Sequence, residues 1–207
     1  MIVITVFMPN ETYKTIAKNS TGIYKDKGSK FLSFAFPLNN IDSVKDIVSE
    51  LKKEHHGARH HCWAYKFGVS GEQTRANDNG EPSNTAGKPI LGQINSFEIT
   101  NTLIVVVRYF GGTLLGVGGL IQAYKESAKL ALENTEIISK TVEYEVNITC
   151  DYEDVDSVLS CIKQQNCTIT NQNYNESCEI TCLATKEVVG MLQKIEENKP
   201  NVKIQVL

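Results

Sequence analysis

"LIVVVRYFGGTLLGVGGLIQAY", residues 103–124, runs from an unbroken apolar stretch through five glycines in the nine positions 111–119 into a helix-like run at 120–132. A short continuous apolar run bounded by turn residues reads as a buried strand. Glycine is costly to order, so a cluster of it marks a sharp turn or a close backbone approach. The stretch therefore reads as strand, glycine loop and helix N-terminus. Free N–H groups and the helix dipole favour an anion at such a junction. The competing reading is a tight turn that packs the helix onto its sheet. Gly111, Gly112, Gly116, Gly118 and Gly119 fit neither GxxxxGK[ST] nor GxGxxG, so no nucleotide motif decides between the two.

Around this stretch the chain reads as α+β. "GIYKDKGSKFLSFAFPL" (22–38) forms a hairpin with its turn near Asp26–Gly28. Ile41–His55 has the spacing of an amphipathic helix, and His60–Phe67 reads as a strand. Residues 68–89 are a long polar stretch, and connections of that length are usually functional. A short helix is expected near 90–97, ahead of the strand at 102–107.

Residues 141–207 read element by element. Val142, Tyr144, Val146, Ile148 and Cys150 alternate with polar residues, as in a half-buried strand. Asp151 suits a helix start, and Val155, Val158, Leu159 and Ile162 have helical spacing. Strands near 167–173 and 177–184, a helix near 186–198 and a strand at 202–206 complete a βαββαβ order, that of ferredoxin-like folds. The outer sheet face carries Glu143, Glu145, Asn147, Thr149, Thr168, Thr170, Glu179 and Thr181. An RNA-reading sheet of this topology would place aromatics there, so a protein contact is the better expectation.

Charge divides the chain at the same place. Residues 1–140 carry 16 Lys/Arg and 13 Asp/Glu, whereas 141–207 carry 5 and 11. Two domains, 1–139 and 140–207, are expected. No apolar run reaches the roughly 18 residues of a membrane span. "MIVITVFMPNE" lacks the basic region of a signal peptide, and residues 1–7 read as an upstream extension. Six cysteines without a CxxC pair suit buried, reduced thiols and a cytoplasmic location.

Two further constellations bear on chemistry. "EHHGARHHCWAY" (54–65) offers His55, His56, His60, His61 and Cys62, which look like zinc ligands. Strand alternation leaves only His60 and Cys62 on one face, too few for zinc. His60 beside Arg59 suits phosphate binding or proton movement. "DNGEPSNTAGKP" (78–89) sets Asp78 and Glu81 among turn residues. Paired carboxylates there could serve a metal or acid–base chemistry, but bracing of a turn by backbone hydrogen bonds is the expected role of both. Ser83, Asn84 and Thr85 are candidate caps for the helix that Pro89 helps to start.

The segments "KGSKF" (27–31), "ARHHCWAY" (58–65), "DNGEPSNTAGKP" (78–89) and "RYFGGTLLGVGGLIQAY" (108–124) together resemble the YigZ/IMPACT family. Asn84 stands where a glycine is common in that family. The resemblance implies an N-terminal domain like ribosomal protein S5 domain 2. It also implies a C-terminal ferredoxin-like domain similar to one in elongation factor G. The eukaryotic relative is a translation regulator that uses a further N-terminal domain for its large ribosome-associated partner, so that partnership is not carried over.

The expected function is a non-enzymatic, cytoplasmic binding protein linked to regulation of translation, with no catalytic residue, cofactor or metal. RNA or a ribosomal surface would be met by Arg59, His60, Arg108 and the five glycines. A functional loop would be built from Asp78, Glu81, Pro82, Thr85, Gly87 and Lys88. The alternatives are an enzyme acting on a phosphorylated small molecule or nucleotide, and a protein–protein adaptor using the acidic C-terminal sheet.

Overall fold

The computed structural model describes residues 12–175 and 177–207, and the chain divides at Lys140/Thr141 into two compact units. The proposed extension at 1–7 lies outside the described residues. Among these residues no helix is long and apolar enough to cross a membrane. The chain is α+β.

In the unit Thr12–Lys140 the elements are β1 (Thr12–Ile16), β2 (Ser20–Asp26), β3 (Ser29–Pro37), α1 (Ser43–Glu54), β4 (His60–Phe67), β5 (Gln73–Asn77), α2 (Gly87–Ser96), β6 (Thr102–Tyr109) and α3 (Gly116–Glu133). β7 (Ile137–Thr141) follows and pairs with β1. The main sheet has the order β2-β3-β6-β4-β5, with every neighbour antiparallel.

β6 is the central strand and is covered on both faces, which is why its sequence is apolar without alternation. Leu103, Val105 and Val107 pack with Val44, Val48 and Leu51 of α1. Ile104 and Val106 face the other way, into the core formed with α2 and α3. Three layers result, helix on sheet on helix. The β2–β3 turn is Lys27–Gly28, both with positive φ (44° and 79°), the sign pattern of a type I′ hairpin turn.

α3 buries Leu120, Ala123, Tyr124, Ser127, Ala128, Ala131 and Leu132, one face of a helix at 3.6 residues per turn. Its small residues let it lie close to β2. A Cβ on Gly22 would stand 2.6 Å from the Ala131 nitrogen. The Ser20 and Ser33 hydroxyls donate to the Ala131 and Ser127 carbonyls at 2.7 and 2.6 Å, so these buried polar groups are satisfied.

Three details depart from the sequence reading. Residues 68–89 contain strand β5, α2 begins at Gly87, and α3 begins at Gly116. Gly116, Gly118 and Gly119 are thus the first turn of a helix and not part of a loop.

In the unit Thr141–Leu207, β8 (Glu143–Cys150) leads through a 3₁₀ turn at Tyr152–Asp154 to α4 (Val155–Gln164). β9 (Thr168–Tyr174), β10 (Cys178–Thr185), α5 (Lys186–Asn198) and β11 (Lys203–Val206) follow. The sheet order is β11-β8-β10-β9. Its apolar face buries Val146, Ile148, Cys150, Cys178, Ile180 and Cys182 against Val158, Ile162, Val189 and Leu192. All six cysteines are free thiols. Asp151 makes no side-chain cap, but the Thr185 hydroxyl accepts from the Val188 amide to start α5.

Candidate functional site

Strand register builds the first part of the site. His60 on β4 and Phe31 on β3 both lie opposite Arg108 on β6. This row shares its face with Ile104 and Val106, so Arg108 is carried to the α2/α3 side at the end of the core. Only 7% of its side chain is exposed.

The turn at Asp78–Glu81 supplies the partner. Asn79 and Gly80 both have positive φ (40° and 84°), and the Glu81 amide donates to the Asp78 carbonyl at 3.0 Å. The turn is fastened to β4: the His61 amide donates to Asn79 Oδ1 at 2.8 Å, and His60 Nδ1 lies 3.0 Å from the Asn79 carbonyl. Glu81 is thereby aimed inward, with 4% of its side chain exposed.

Its Oε1 accepts from Arg108 Nη1 at 2.7 Å and from the Tyr124 hydroxyl at 2.8 Å, while His60 Nε2 stands 4.0 Å away. Phe31 and Phe110 lie against the guanidinium, their ring centres 5.5 and 5.7 Å from it. Cys62 Sγ donates to the Asp78 carbonyl at 2.9 Å and contacts the Tyr124 hydroxyl at 3.3 Å. Burial pushes the Cys62 thiol up to about 12 and raises Tyr124 as well. A thiol so protonated is a poor nucleophile.

This overturns two expectations. Arg108 is not a free cation for an anionic ligand, because a buried carboxylate neutralises it. Glu81 is held by the Arg108 and Tyr124 side chains and not by backbone donors. Asp78 does follow the bracing reading. Its Oδ1 accepts from the Ala86 and Gly87 amides at 3.0 and 2.8 Å, and its Oδ2 accepts from Asn84 at 2.8 Å. Asp78 is therefore the cap of α2, in place of Ser83, Asn84 or Thr85, none of which reaches the helix amides. Thr85 instead donates to the Pro82 carbonyl at 2.7 Å. Asn84 has φ +64°, a left-handed conformation that asparagine and glycine both tolerate, which accounts for the departure from the family pattern. Replacing Asp78 by alanine is expected to cost about 2 kcal/mol, the upper range for a lost helix cap, measured by urea unfolding.

The glycines divide into separate roles. Gly111 is pressed against the β2–β3 turn, and its amide donates to Ser29 Oγ at 3.2 Å. Gly112 and Gly116 have positive φ (86° and 71°). α3 starts without a side-chain cap and without an acid in its first turn. Its leading N–H groups are therefore available to an acceptor from outside.

A cleft of about 450 Å³ opens there. Arg59, His60, Glu81, Pro82 and Arg108 line it from the sheet side, and Phe110, Leu114, Leu115, Gly116 and Val117 from the loop and helix side. Asp78, Thr85, Gly87 and Lys88 do not line it, and of the five glycines expected there only Gly116 does; Gly111, Gly112, Gly118 and Gly119 lie outside its lining. Arg108 Nε is buried without a hydrogen-bond partner among the described residues. The apolar wall was not foreseen: Phe110, Leu114 and Val117 are 52%, 84% and 59% exposed. Its signal is visible in "FGGTLLGV" (110–117), where large apolar residues sit among glycines without a helical or strand period. Among the described residues no group of three or more His, Cys, Asp or Glu is placed to hold a metal.

Residues 27–132 match the family described as Impact N-terminal domain. The chain is 33% identical over 166 residues to the IMPACT family member YigZ of Escherichia coli (strain K12), covering 79% of this chain and 81% of that protein. It is 32% identical over 94 residues to Protein IMPACT of Rattus norvegicus, covering 44% of this chain and 30% of that one. A crystal structure described as that of a hypothetical protein superposes with a TM-score of 0.77 at 28% identity, over 96% of this chain and 98% of the other. The chain belongs to the IMPACT family.

Proposed function

We propose that this protein is a non-enzymatic, cytoplasmic binding protein linked to regulation of translation, contacting RNA or a ribosomal surface through the cleft at the start of α3. The observation that carries this reading is the uncapped first turn of α3, which opens onto the same cleft as exposed Arg59. Oriented amides with a nearby guanidinium suit a phosphate, and exposed Phe110 suits a base or an apolar side chain. The polar cluster behind the cleft favours binding over catalysis, since its carboxylate is ion-paired and its thiol is held protonated. The folds that fit best are ribosomal protein S5 domain 2-like for the first unit and ferredoxin-like for the second. The βαββαβ order supports the latter. Exposed Glu143, Glu145 and Glu179 offer a face for a protein partner.

Fluorescence anisotropy with a labelled single-stranded RNA, alongside co-sedimentation with ribosomes over a range of salt, tests this reading. Arg59→Ala is expected to weaken binding and reduce the salt slope by about one. Gly118→Ala is expected to stabilise the fold by up to about 1 kcal/mol, because Gly118 lies in the helix with open space around it. The added methyl, on the same first turn of α3 as the amides this reading invokes, should nevertheless weaken RNA binding. Wild-type affinity in both variants would remove the cleft as the contact site.

A further inference from the structure

The opposite face of the same sheet carries a second groove, outside the glycine cleft. α1 does not cover the β4–β5 end of the sheet, and a cavity of about 670 Å³ lies between them. Trp63, half-buried, forms its floor, backed by Tyr65, two residues on in β4 and buried. Their rings are parallel within 4°, with centroids 5.9 Å apart. The Arg75 guanidinium on edge strand β5 stands 5.8 Å from the Trp63 ring centre. Lys45 and Lys52 rise from α1 on the other side. They are seven residues apart, so two helical turns bring them to the same face.

All three cations are exposed. Among the described residues none of them is ion-paired with a carboxylate. Asp42 is the single acidic residue lining the groove. The groove thus combines an aromatic floor with a net positive wall. An acidic peptide would use the cations and leave the parallel rings unused. A duplex would bring phosphates, but its bases would be stacked on one another. Single-stranded nucleic acid matches both features, because every base has a face to stack and every nucleotide a phosphate.

We infer that this groove binds single-stranded nucleic acid, with a base on Trp63 and phosphates at Lys45, Lys52 and Arg75. The inference adds a second site to the RNA reading above and rests on it only in the class of ligand. The two sites adjoin: Asn79 lines the groove and the next residue, Gly80, lines the cleft. One strand passing over the Asn79–Gly80 turn would therefore meet both.

Trp63 is the chain's one tryptophan, so its emission reports on this groove alone. The full chain is titrated with a twelve-nucleotide oligo(rA), followed by tryptophan emission and, with a labelled copy, by anisotropy. Saturable quenching that tracks the anisotropy isotherm is expected. Lys45→Gln/Lys52→Gln, two surface changes, should weaken binding and lower the salt slope by about 1.4, the value for two single-strand phosphate contacts. Binding seen by anisotropy with unchanged emission, and a wild-type slope in the double variant, would overturn the groove while leaving the RNA reading intact. Quenching by oligo(rA) that survives Arg59→Ala unweakened would keep the groove and remove the cleft. No oligonucleotide binding, with quenching by a poly-glutamate peptide, would make the groove a peptide site and overturn the inference. No binding of either probe would end both nucleic-acid readings.

Discussion

Arg108→Met is expected to lower the unfolding free energy by about 3–5 kcal/mol, the cost of leaving one member of a buried ion pair alone. The side chains of Arg108 and Glu81 are both more than nine-tenths buried, and they meet at 2.7 Å. Methionine fills much of the arginine stem's volume and still packs between Phe31 and Phe110. The main loss is therefore the charge, which leaves the Glu81 carboxylate with the Tyr124 hydroxyl and a His60 ring nitrogen 4.0 Å away. Removing both partners behaves differently, because a buried pair replaced by apolar residues is often close to neutral. The double variant Arg108→Met/Glu81→Leu should thus recover most of the loss. Urea unfolding of the wild type, both single variants and the double variant gives the coupling energy directly. A loss below about 1 kcal/mol in Arg108→Met, together with weakened RNA binding, would return Arg108 to the role of a free phosphate-binding cation.

That experiment bears on what a sequence can disclose. An arginine at the end of an apolar strand beside a glycine loop looks like a ligand-binding cation. Its register partner His60 and its ion-pair partner Glu81 lie 48 and 27 residues away in the chain. No local pattern records that strand pairing and the Asp78–Glu81 turn bring the three together. Where burial leaves a periodic trace, the reading was accurate. The alternation of Val142–Cys150 and the helical spacing from Leu120 to Leu132 both appear as buried faces.

The reading failed where burial leaves no trace. β5 pairs only with β4, and its residues "QTRAN" are nearly all exposed, so no apolar period marks it. The first turn of α3 consists largely of glycine, which local propensity places in a loop. The rest of the helix, packed on the sheet, overrides that preference. The Trp63 groove escaped for another reason. Trp63 and Tyr65 have the alternation of a core-facing strand, and only the position of α1 leaves part of that face uncovered.

The first glycine of the loop has the most demanding position, and Gly111→Ala is expected to cost about 3 kcal/mol or more, as overpacking against unyielding neighbours does. A Cβ there would fall on the carbonyl group of Gly28 and the amide nitrogen of Ser29. These are backbone atoms, so no side-chain rotation makes room. The Gly28 turn cannot easily give way, because Lys27 and Gly28 both hold positive φ between paired strands. The methyl group must therefore push the end of β6 away from β3, where Lys30 faces Tyr109 and Phe31 faces Arg108. Displacing that last pair also moves Arg108 relative to Glu81, which couples the loop to the buried charge cluster. Gly112→Ala is the control. It has open space around it but φ +86°, so it should cost only the roughly 1 kcal/mol of a strained left-handed residue. Urea unfolding of the two variants separates the effects. If Gly111→Ala is no worse than Gly112→Ala, the contact with the hairpin is slack. If it is far worse, this part of the loop is glycine-rich because it packs on the protein's own backbone. The room for a ligand's phosphate then lies further along, at the open first turn of α3.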